Sequence, residues 1–345
     1  MRVVSFLPSA TEIVAALGRL DDIVGVSHEC DYPADVRSRE VVTSSAIDST
    51  APPGEIDTSV RGLVDTGRPL YDVREERVRA LAPDVMVTQV VCDVCAVSEG
   101  DVRALATRLT PPPEVVTLGA TTLDGIFDDI RRVAAALGVA DRAASLEARS
   151  VARMRAVHER LKAARAPRPR VAVIEWSDPI FAAGHWVPEM VYRAGGGDVL
   201  ASAGEHSTTR TIEAVRAADP GIILVAPCGF DLGRASADAE RMLATDAWSW
   251  ARDRQVWALD ANAFLSRPGP RVVDGIELLA QVFHPTLFGP PSPEAARSMG
   301  LFRGPHANRD EHEEHGERPL ERDGGHHLRE PRTEERAEEQ SHRQQ

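Results

Sequence analysis

The hydrophobic positions in the first third of the chain fall into short apolar runs separated by stretches with helical spacing. The run "RVVSFLP" at 2–8 is rich in β-branched residues, and "SATEIVAALG" after it has the spacing of a helix that ends at Gly18. Further strands are predicted at 22–27, 85–91 and 114–119, with helices near 74–82 and at "EGDVRALATRL". Because strands that alternate with helices pair in parallel, we predict a parallel sheet covered on both faces.

The pattern changes between Thr122 and Arg165, where two helical stretches follow one another with no strand between them. The alternation resumes at Arg170 with the apolar strand "RVAVIEW", and further strands are predicted at "GIILVAP" and "QVWALD". We therefore predict the α/β class, with two Rossmann-like three-layer lobes joined by a long helix and a ligand cleft between them.

The same pattern sets the predicted domain boundaries. The chain divides into an N-terminal α/β lobe at 1–121, a helical linker with the long interdomain helix at 122–167, a C-terminal α/β lobe at 168–289 and a charged tail at 290–345. The tail is rich in acidic residues, Arg and His and has almost no aliphatic residues, so it cannot bury enough apolar surface to offset its ordering entropy. We predict that the tail is disordered.

Composition and charge narrow the function classes. With 43% hydrophobic and 27% charged residues the chain can fill a core, while a formal net charge of -13 without a basic cluster argues against a nucleic-acid partner. No run of 18 apolar residues occurs, so no membrane span is predicted. Because dinucleotide, Walker and hydrolase motifs are lacking, we predict that the protein is not an enzyme. We also expect it to be a monomer.

The N-terminal sequence bears on the location of the protein. Pro8, Ser9, Thr11 and Glu12 interrupt the first apolar stretch, and no secretory cleavage pattern follows. The sequence as written therefore predicts a cytoplasmic protein, whereas a misassigned start codon would allow a periplasmic or cell-surface location. In a reducing compartment the four cysteines are expected to be free thiols, metal ligands or redox groups.

Chemically distinctive residues follow the carboxyl ends of the predicted strands. Ligands bind at this edge of open parallel sheets because the loops and helix N-termini there meet in one crevice. The candidate ligand-binding residues are Pro8, Ser9, His28, Glu29, Cys30, Asp31, Tyr32, Cys92, Asp93, Cys95, Trp176, His185, Trp186, Cys228 and Phe264. If the two lobes face each other along these edges, these residues line the cleft between them.

The cysteine pattern leaves two interpretations open. Cys92 and Cys95 have the spacing of a shared metal site or an internal disulfide, and His28 with Cys30 would supply further ligands. Thiolate and imidazole groups favour zinc or iron. Any one of these cysteines can instead be a small apolar filler of the core, and the same holds for Cys228.

The arrangement resembles the cobalamin- and siderophore-binding class of ABC-transporter substrate-binding proteins over residues 2–289. The resemblance rests on "VVSFLPSATEIVAALG", "DIVGVSHECDYP", "VRALAPDVMVTQ", "EAVRAADPGIILVAP" and "FLSRPGPRVVDGIELLAQVFHP". The resemblance is strongest to the cobalamin-binding branch of this class. The chain is also similar to a subfamily whose members have no signal peptide. The resemblance implies two α/β lobes tied by one rigid helix, with the loop after the first strand and the loop before "DYP" bordering a corrinoid. It also implies that Glu76 and Glu213 dock onto arginines of an ABC-transporter permease.

The leading hypothesis is a cytoplasmic, non-catalytic protein that binds cobalamin, another corrinoid or a related metal chelate between its lobes. Trp176, Trp186 and Phe264 would supply apolar contacts. His28 or His185 would approach the metal axially. The alternative is a cytoplasmic zinc, iron or redox protein that uses Cys30, Cys92, Cys95 and His28. A third hypothesis is a secreted transporter component whose gene start is truncated.

Overall fold

The computed structural model of the protein describes residues 1–91 and 96–300. The strands of the first lobe are β1 (Val3–Ser5), β2 (Ile23–Val26), β3 (Glu40–Val41), β4 (Thr43–Ser45), β5 (Tyr71–Val73), β6 (Val85–Gln89) and β7 (Glu114–Leu118). Its helices are α1 (Pro8–Ala16), α2 (Pro53–Asp65), α3 (Glu75–Leu81) and α4 (Glu99–Thr107). Short 3-10 helices cover Leu20–Asp22 and Ala34–Ser38.

The first lobe is built on one parallel sheet with the strand order β3-β2-β1-β6-β7, and β4 pairs with β5 in a separate antiparallel ribbon. β1 and β6 are buried along their whole length because helices cover both faces of the sheet. One apolar cluster contains Ile13 and Val87, and a second contains Phe6 and Leu105. The predicted α/β class is confirmed in this half of the molecule.

Helices α5 (Leu123–Ala136) and α6 (Ala140–Ala163) link the lobes, in the stretch where the sequence lacks strands. α6 is 24 residues long, which corresponds to about 36 Å. Its buried side chains are Ala143, Ser150 and Val157, which lie about two turns apart and form a single stripe along the helix. No helix within residues 1–91 and 96–300, α6 included, is long and apolar enough to cross a membrane.

The second lobe carries a mixed sheet with the order β11-β9-β8-β12-β13-β14, and β10 also pairs with β8. Its strands are β8 (Arg170–Ser177), β9 (Ile180–Ala182), β10 (Gly197–Asp198), β11 (Thr208–Thr209), β12 (Ile222–Val225), β13 (Gln255–Leu259) and β14 (Ala296–Ser298). Its helices are α7 (Val187–Arg193), α8 (Ile212–Ala217), α9 (Leu232–Leu243), α10 (Ala261–Phe264), α11 (Val272–Phe283) and α12 (Pro285–Phe288), with a 3-10 helix at Asp246–Asp253. The central strands β8, β12 and β13 are parallel, as the alternating sequence pattern predicted.

Strand β14 corrects the predicted start of the tail. It pairs antiparallel with β13, and Ala295 and Ala296 are only 6% and 4% exposed. Residues 290–300 therefore belong to the folded second lobe, and the prediction of disorder from 290 is wrong for them. No sequence pattern predicts this strand, because it is short and follows a Pro- and Ser-rich stretch. Residues 301–345 lie outside the described residues.

The lobes share a continuous hydrophobic cluster. It includes Val87 of the first lobe, Val157 of α6 and Leu224 of the second lobe. α6 packs against α5 on one side and against α7 and α11 on the other. Because the linking helix is packed against elements of both lobes, bending between the lobes would break apolar contacts, and we expect it to be limited.

Candidate functional site

The loop after β2 forms the first-lobe wall of an interlobe cleft, and the β4–β5 ribbon supports it. The backbone N–H of His28 donates to the Thr43 hydroxyl at 3.0 Å, and the Nδ1 atom of His28 lies 2.7 Å from the same oxygen. The His28 ring lies beside the Tyr71 ring, with centroids 5.7 Å apart. Burial and then the charge of Arg74 lower the pKa of His28, so its imidazole is neutral at pH 7.

The end of β8 and the loop after β12 form the opposite wall. The backbone N–H of Cys228 donates to the Glu175 carbonyl at 3.0 Å, which holds these two residues together. Burial raises the pKa of the Glu175 carboxyl to about 7, although hydrogen bonds from Ser207 and from the Gly184 backbone oppose the shift. The side chain of Cys228 reaches solvent. The second lobe thus brings a carboxyl group and a thiol together in the cleft.

The two walls influence each other electrostatically. Desolvation by the protein atoms around it, followed by the charges of Glu175 and Glu29, raises the pKa of Cys228 to about 12, although part of the residue stays accessible to solvent. Burial also raises the pKa of Tyr71, and charge on Glu29 and Cys228 raises it further. Burial is the main cause of the raised pKa of Glu29 as well. Because two of these acidic groups come from each lobe, they surround one shared space, in which the neutral form of each is favoured.

His185 and His206 add two imidazoles on the second-lobe side. The Nε2 atom of His185 lies 3.2 Å from the Nδ1 atom of His206, and the rings meet edge to face. The His185 backbone is left-handed, with φ of 54°, and its N–H donates to the Glu205 carbonyl at 2.6 Å. This conformation is costly for a residue with a Cβ atom, so the surrounding contacts must hold it. Burial and the neighbouring His206 lower the pKa of His185, which is therefore neutral at pH 7.

Cys30 lies apart from His28, although the two residues are close in sequence. Its Sγ atom is 3.1 Å from the Thr11 hydroxyl, and the side chain is buried. Burial raises the pKa of Cys30 to about 11, so the group is a thiol at neutral pH. Within residues 1–91 and 96–300, no three His, Cys, Asp or Glu side chains are arranged to hold a metal ion. Cys92, Asp93 and Cys95 lie outside the described residues, so the metal site that needs these cysteines stays a prediction.

The three aromatic residues predicted to contact a ligand pack against the hydrophobic clusters of the protein. Trp186 is only 8% exposed, and its indole N–H donates to the Leu265 carbonyl at 2.8 Å. Its ring is packed against the hydrophobic core and beside the His185 ring, and its contact with a ligand stays a prediction. Phe264 is partly buried and packs against the same core. Trp176 is partly buried, packs against the second-lobe core and meets the Phe230 ring edge to face, with ring centroids 5.5 Å apart.

A buried ion-pair cluster joins the lobes at the base of the cleft, and we call Glu12, Arg267 and Arg271 the interlobe clamp. The Glu12 carboxylate of α1 accepts from Arg267 Nη1 at 2.9 Å. It also accepts from Arg271 Nε and Nη2 at 2.8 and 2.6 Å. The Glu12 side chain is 2% exposed, and those of the two arginines are 7% and 15% exposed. Both arginines come from the "SRPGPR" segment between α10 and α11.

The loop before "DYP" extends the clamp instead of standing free in the cleft. Asp31 Oδ1 accepts from Arg267 Nη1 at 2.6 Å, and Asp31 Oδ2 accepts from the Asn262 amide at 3.1 Å. Although burial opposes the shift, the hydrogen bond and charge of Arg267 lower the pKa of Asp31. The Arg271 guanidinium lies 4.2 Å over the Tyr32 ring, which remains 48% exposed.

The N-terminal end of α1 also belongs to the contact between the lobes. Pro8 begins the helix, and Ser9 is 2% exposed where it faces Gly269 of the second lobe. Ser9 therefore lies against the second lobe, and the predicted ligand contacts of Pro8 and Ser9 stay predictions. The structure thus separates a closed, charged contact at α1 from an open region lined by His28, Tyr71 and Cys228.

Residues 3–263 match the model of a family described as periplasmic binding protein. The chain belongs to the periplasmic binding protein family. This confirms the predicted resemblance, and the match runs from β1 into the second lobe. No curated protein matches the chain.

Solved structures show the same fold as this periplasmic binding protein. A periplasmic heme-binding protein from Pseudomonas aeruginosa is 23% identical over 86% of this chain and 97% of its own, with a TM-score of 0.63. The periplasmic heme-binding protein RhuT from Roseiflexus sp. RS-1, in its apo form, is 22% identical over 84% and 97%, with a TM-score of 0.58. The periplasmic vitamin B12-binding protein BtuF of Vibrio cholerae is 23% identical over 82% and 96%, with a TM-score of 0.55. These likenesses confirm the two-lobe α/β fold.

The two glutamates implied to dock on a permease occupy similar positions in the two lobes of this periplasmic binding protein. Glu76 lies in the first turn of α3 and Glu213 in the first turn of α8, and both are exposed. Hydrogen bonds from its own backbone N–H and from Thr211 lower the pKa of Glu213. Docking through these residues stays a prediction.

Sequence reasoning missed several groups that the fold brings to the cleft. They are Glu12, Tyr71, Glu175, His206, Arg267 and Arg271. Glu175 carried a signal, because it is a charged residue at the carboxyl end of the apolar strand "RVAVIEW". His206 and Tyr71 lie in polar stretches where the pattern predicts only loops, so their place in the cleft follows from tertiary folding alone.

Proposed function

We propose that this periplasmic binding protein holds a metal chelate, a corrinoid or a heme-like macrocycle, between its two lobes without transforming it. The observation that carries the proposal is the convergence of neutral metal-binding and hydrogen-bonding groups from both lobes on one cleft. The heme and vitamin B12 proteins that share the fold support the ligand class. A cleft between domains is also a common place for a small-molecule site.

The imidazoles give the cleft its proposed metal contact. His28 stands on the first lobe and His185 on the second, and both are neutral at pH 7 for the physical reasons given above. Neutral imidazole is a good ligand for iron and cobalt. Because Nδ1 of His28 is engaged with Thr43, its Nε2 atom is the one that would approach the metal. Trp176 would lie against the face or edge of the macrocycle.

The thiols and the Tyr71 phenol are suited to hydrogen-bonding a ligand. The thiols of Cys30 and Cys228, with pKa values of about 11 and 12, carry almost no thiolate near pH 7. The Tyr71 phenol is likewise held neutral. These groups can donate hydrogen bonds to a ligand, but they are poor nucleophiles and poor bases at that pH.

The proposal includes delivery of the chelate to an ABC-transporter permease through Glu76 and Glu213. That partner requires the protein on the outer side of the membrane, against the cytoplasmic location predicted from the sequence as written. Fractionation of cells that carry the natural gene tests this part of the proposal. Recovery from the periplasm or cell surface supports delivery, and recovery with cytoplasmic markers contradicts it.

Absorption titration tests the binding function. We expect hydroxocobalamin or hemin to give a saturable spectral change with a dissociation constant of about 10 μM or tighter. His28→Ala and His185→Ala should each weaken that binding about tenfold or alter the metal's absorption bands. His158→Ala on the exposed side of α6 is the matched control and should behave as the wild type. No spectral change with either compound at about 100 μM would overturn the proposal.

The alternative of a zinc, iron or redox protein makes a different prediction. Metal analysis of anaerobically purified protein would find a stoichiometric metal ion that disappears in Cys92→Ser and Cys95→Ser. Among the described residues, Cys30 contacts the Thr11 hydroxyl and His28 contacts the Thr43 hydroxyl.

A further inference from the structure

A helical segment leaves the first lobe between β4 and β5 and returns to it. It covers residues 46–70, contains α2, and is called the α2 strap below. Its two ends lie side by side at the β4–β5 ribbon, because the Ala46 backbone N–H donates to the Leu70 carbonyl at 2.9 Å. Tyr71, the next residue along the chain, belongs to the first-lobe wall of the cleft. The α2 strap can therefore swing about its adjacent ends while the parallel sheet stays intact.

The far part of the α2 strap lies on the second lobe. There α2 packs against β8, and Ile56 packs against an apolar cluster whose buried members all belong to the second lobe. The Ala51 carbonyl accepts from Arg234 Nη2 of α9 at 3.3 Å. Ser49 and Thr50 line a cavity of about 540 Å³ to which both lobes contribute. The α2 strap thus spans the cleft from the first-lobe wall to the second.

The contact of α2 with the second lobe is small. Within α2, which the structure describes throughout, Pro53 is the one buried residue, and Val64 is among the exposed ones. By comparison, α5 buries seven of its 14 residues. A helix with so little buried apolar surface detaches at a lower free energy than the helices of the core.

The two lobes, in contrast, are tied to each other firmly. α6 packs against elements of both, and the buried clamp joins Glu12 to Arg267 and Arg271 at the base of the cleft. Separating the lobes would break these contacts, whereas a swing of the α2 strap would break only its contacts with β8, the Ile56 cluster and Arg234. Since a ligand needs a passage into the cleft, the strap opens that passage at a lower cost than separation of the lobes.

We propose that the α2 strap is a lid over the chelate site, which swings about the β4–β5 ribbon to admit and release the ligand and closes by docking α2 on the second lobe. The inference rests on the proposed function, because the lid acts on a ligand held in the cleft. It assigns ligand exchange to the motion of one helix and not to a hinge between the lobes. Ile56 is then the apolar side chain that fastens the closed lid.

A disulfide between Gly54→Cys and Asp178→Cys tests the lid by locking it shut. A Cβ atom placed on Gly54 would lie 3.8 Å from the Cβ atom of Asp178, in the β8–β9 turn, and this is the usual separation across a disulfide. We expect association and dissociation of hemin or hydroxocobalamin, followed by stopped-flow absorption, to slow about tenfold or more once the bond forms. Gly54→Ser with Asp178→Ser cannot form the bond, so this matched control should exchange ligand like the wild type.

Ile56→Ala tests the lid in the opposite direction, without a new bond. It removes the side chain that packs on the second lobe, so release of the ligand should become about fivefold faster. Val64→Ala on the same helix is the matched control, because Val64 is 54% exposed and alanine raises helix propensity at both positions. In the ligand-free protein, peptides of α2 should exchange hydrogen faster in Ile56→Ala than in Val64→Ala.

The outcomes separate the lid from the function on which it rests. Unchanged ligand exchange in the cross-linked protein overturns the lid and leaves chelate binding intact, and equal release rates from Ile56→Ala and Val64→Ala do the same. Failure of the folded double-cysteine protein to form the bond, as read by peptide mass spectrometry, contradicts the closed position and also overturns the lid. Failure of the wild type to bind either compound overturns both the lid and the proposed function.

Discussion

The base and the open region of the interlobe cleft use charged groups in opposite ways. At the base, Glu12 is buried with two arginines, and each charge has a partner of opposite sign. In the open region, Glu29 and Glu175 lie with Tyr71 and Cys228, whose raised pKa values show that each resists becoming charged. Matched charges hold the lobes together at the base, while in the open region burial raises the pKa of each acidic group and no opposite charge pairs with these groups as completely.

The difference shows that contact between lobes and affinity for a ligand have separate physical origins in this protein. A buried ion pair gains its stability from geometry and from complete pairing, so it loses most when one partner is removed. A ligand site must instead keep polar groups incompletely satisfied until the ligand arrives. The two regions should therefore respond differently to mutation, pH and chemical modification.

Glu12→Gln should break the clamp and have the largest effect on stability. The substitution leaves Arg271 without a carboxylate partner and Arg267 with Asp31 alone, and breaking a buried pair costs about 3–5 kcal/mol. Urea denaturation measures the change in the free energy of unfolding. Glu147→Gln, which removes the exposed partner of Arg131, is the matched control and should change it by less than about 1 kcal/mol. Similar effects of the two substitutions would contradict the role of the clamp.

Glu175→Gln, in the open region of the cleft, should change how the stability of the protein depends on pH. The folded-state pKa of Glu175 is about 7, raised from 4.5, so the folded protein binds more protons than the unfolded chain between these values. Its contribution to stability is therefore lost as pH rises from about 5 to 8. Over this pH range, the free energy of unfolding of the wild type should fall by up to about 3 kcal/mol more than that of the variant. Parallel stability curves of the two proteins in urea would show that Glu175 is not held neutral.

Cys228 should react slowly even though it reaches solvent. A thiol with a pKa of about 12 has very little thiolate at pH 8, so we expect alkylation by iodoacetamide about a hundredfold slower than for free cysteine. Glu175→Gln should speed the reaction, because it removes one of the charges that raise this pKa. Peptide mass spectrometry at several times measures the rate at Cys228 separately from the other cysteines. Alkylation at the rate of free cysteine would contradict the electrostatic account of this wall.

Trp186→Phe should have the smallest effect and should act on folding, not on binding. The change removes the indole N–H bond to the Leu265 carbonyl and some core volume, at a cost of about 1–2 kcal/mol. Chemical denaturation measures the cost, and hemin or hydroxocobalamin titration measures the affinity. An affinity loss as large as that of His185→Ala would contradict this prediction and indicate that Trp186 contacts the ligand.

Much of the fold could be predicted because it depends on local patterns. The buried strands β1, β6, β8 and β12 are apolar runs, and the helical linker is a long stretch without any such run. Edge elements were missed for the same reason. β3, β10 and β11 have two residues each, and so short a strand leaves no periodicity in the sequence.

The candidate site was only partly predictable, because its partners are far apart along the chain. Arg267 and Glu12 are separated by 255 residues, and nothing near either residue indicates the pair. The position of His28 after β2 followed from the general rule for strand ends. The burial of Trp186 could not be predicted, because a loop sequence does not show whether a ring turns to the core or to solvent.

Hydrogen–deuterium exchange with and without bound hemin or hydroxocobalamin tests most directly whether the ligand lies between lobes that the clamp already holds together. We predict that the ligand slows exchange in peptides around His28 and Tyr71 of the first lobe and around His185 and Cys228 of the second. Peptides covering α1 and the "SRPGPR" segment should exchange slowly in both states, because the clamp is buried before the ligand arrives. Protection confined to one lobe, or newly gained protection at the clamp, would contradict this account.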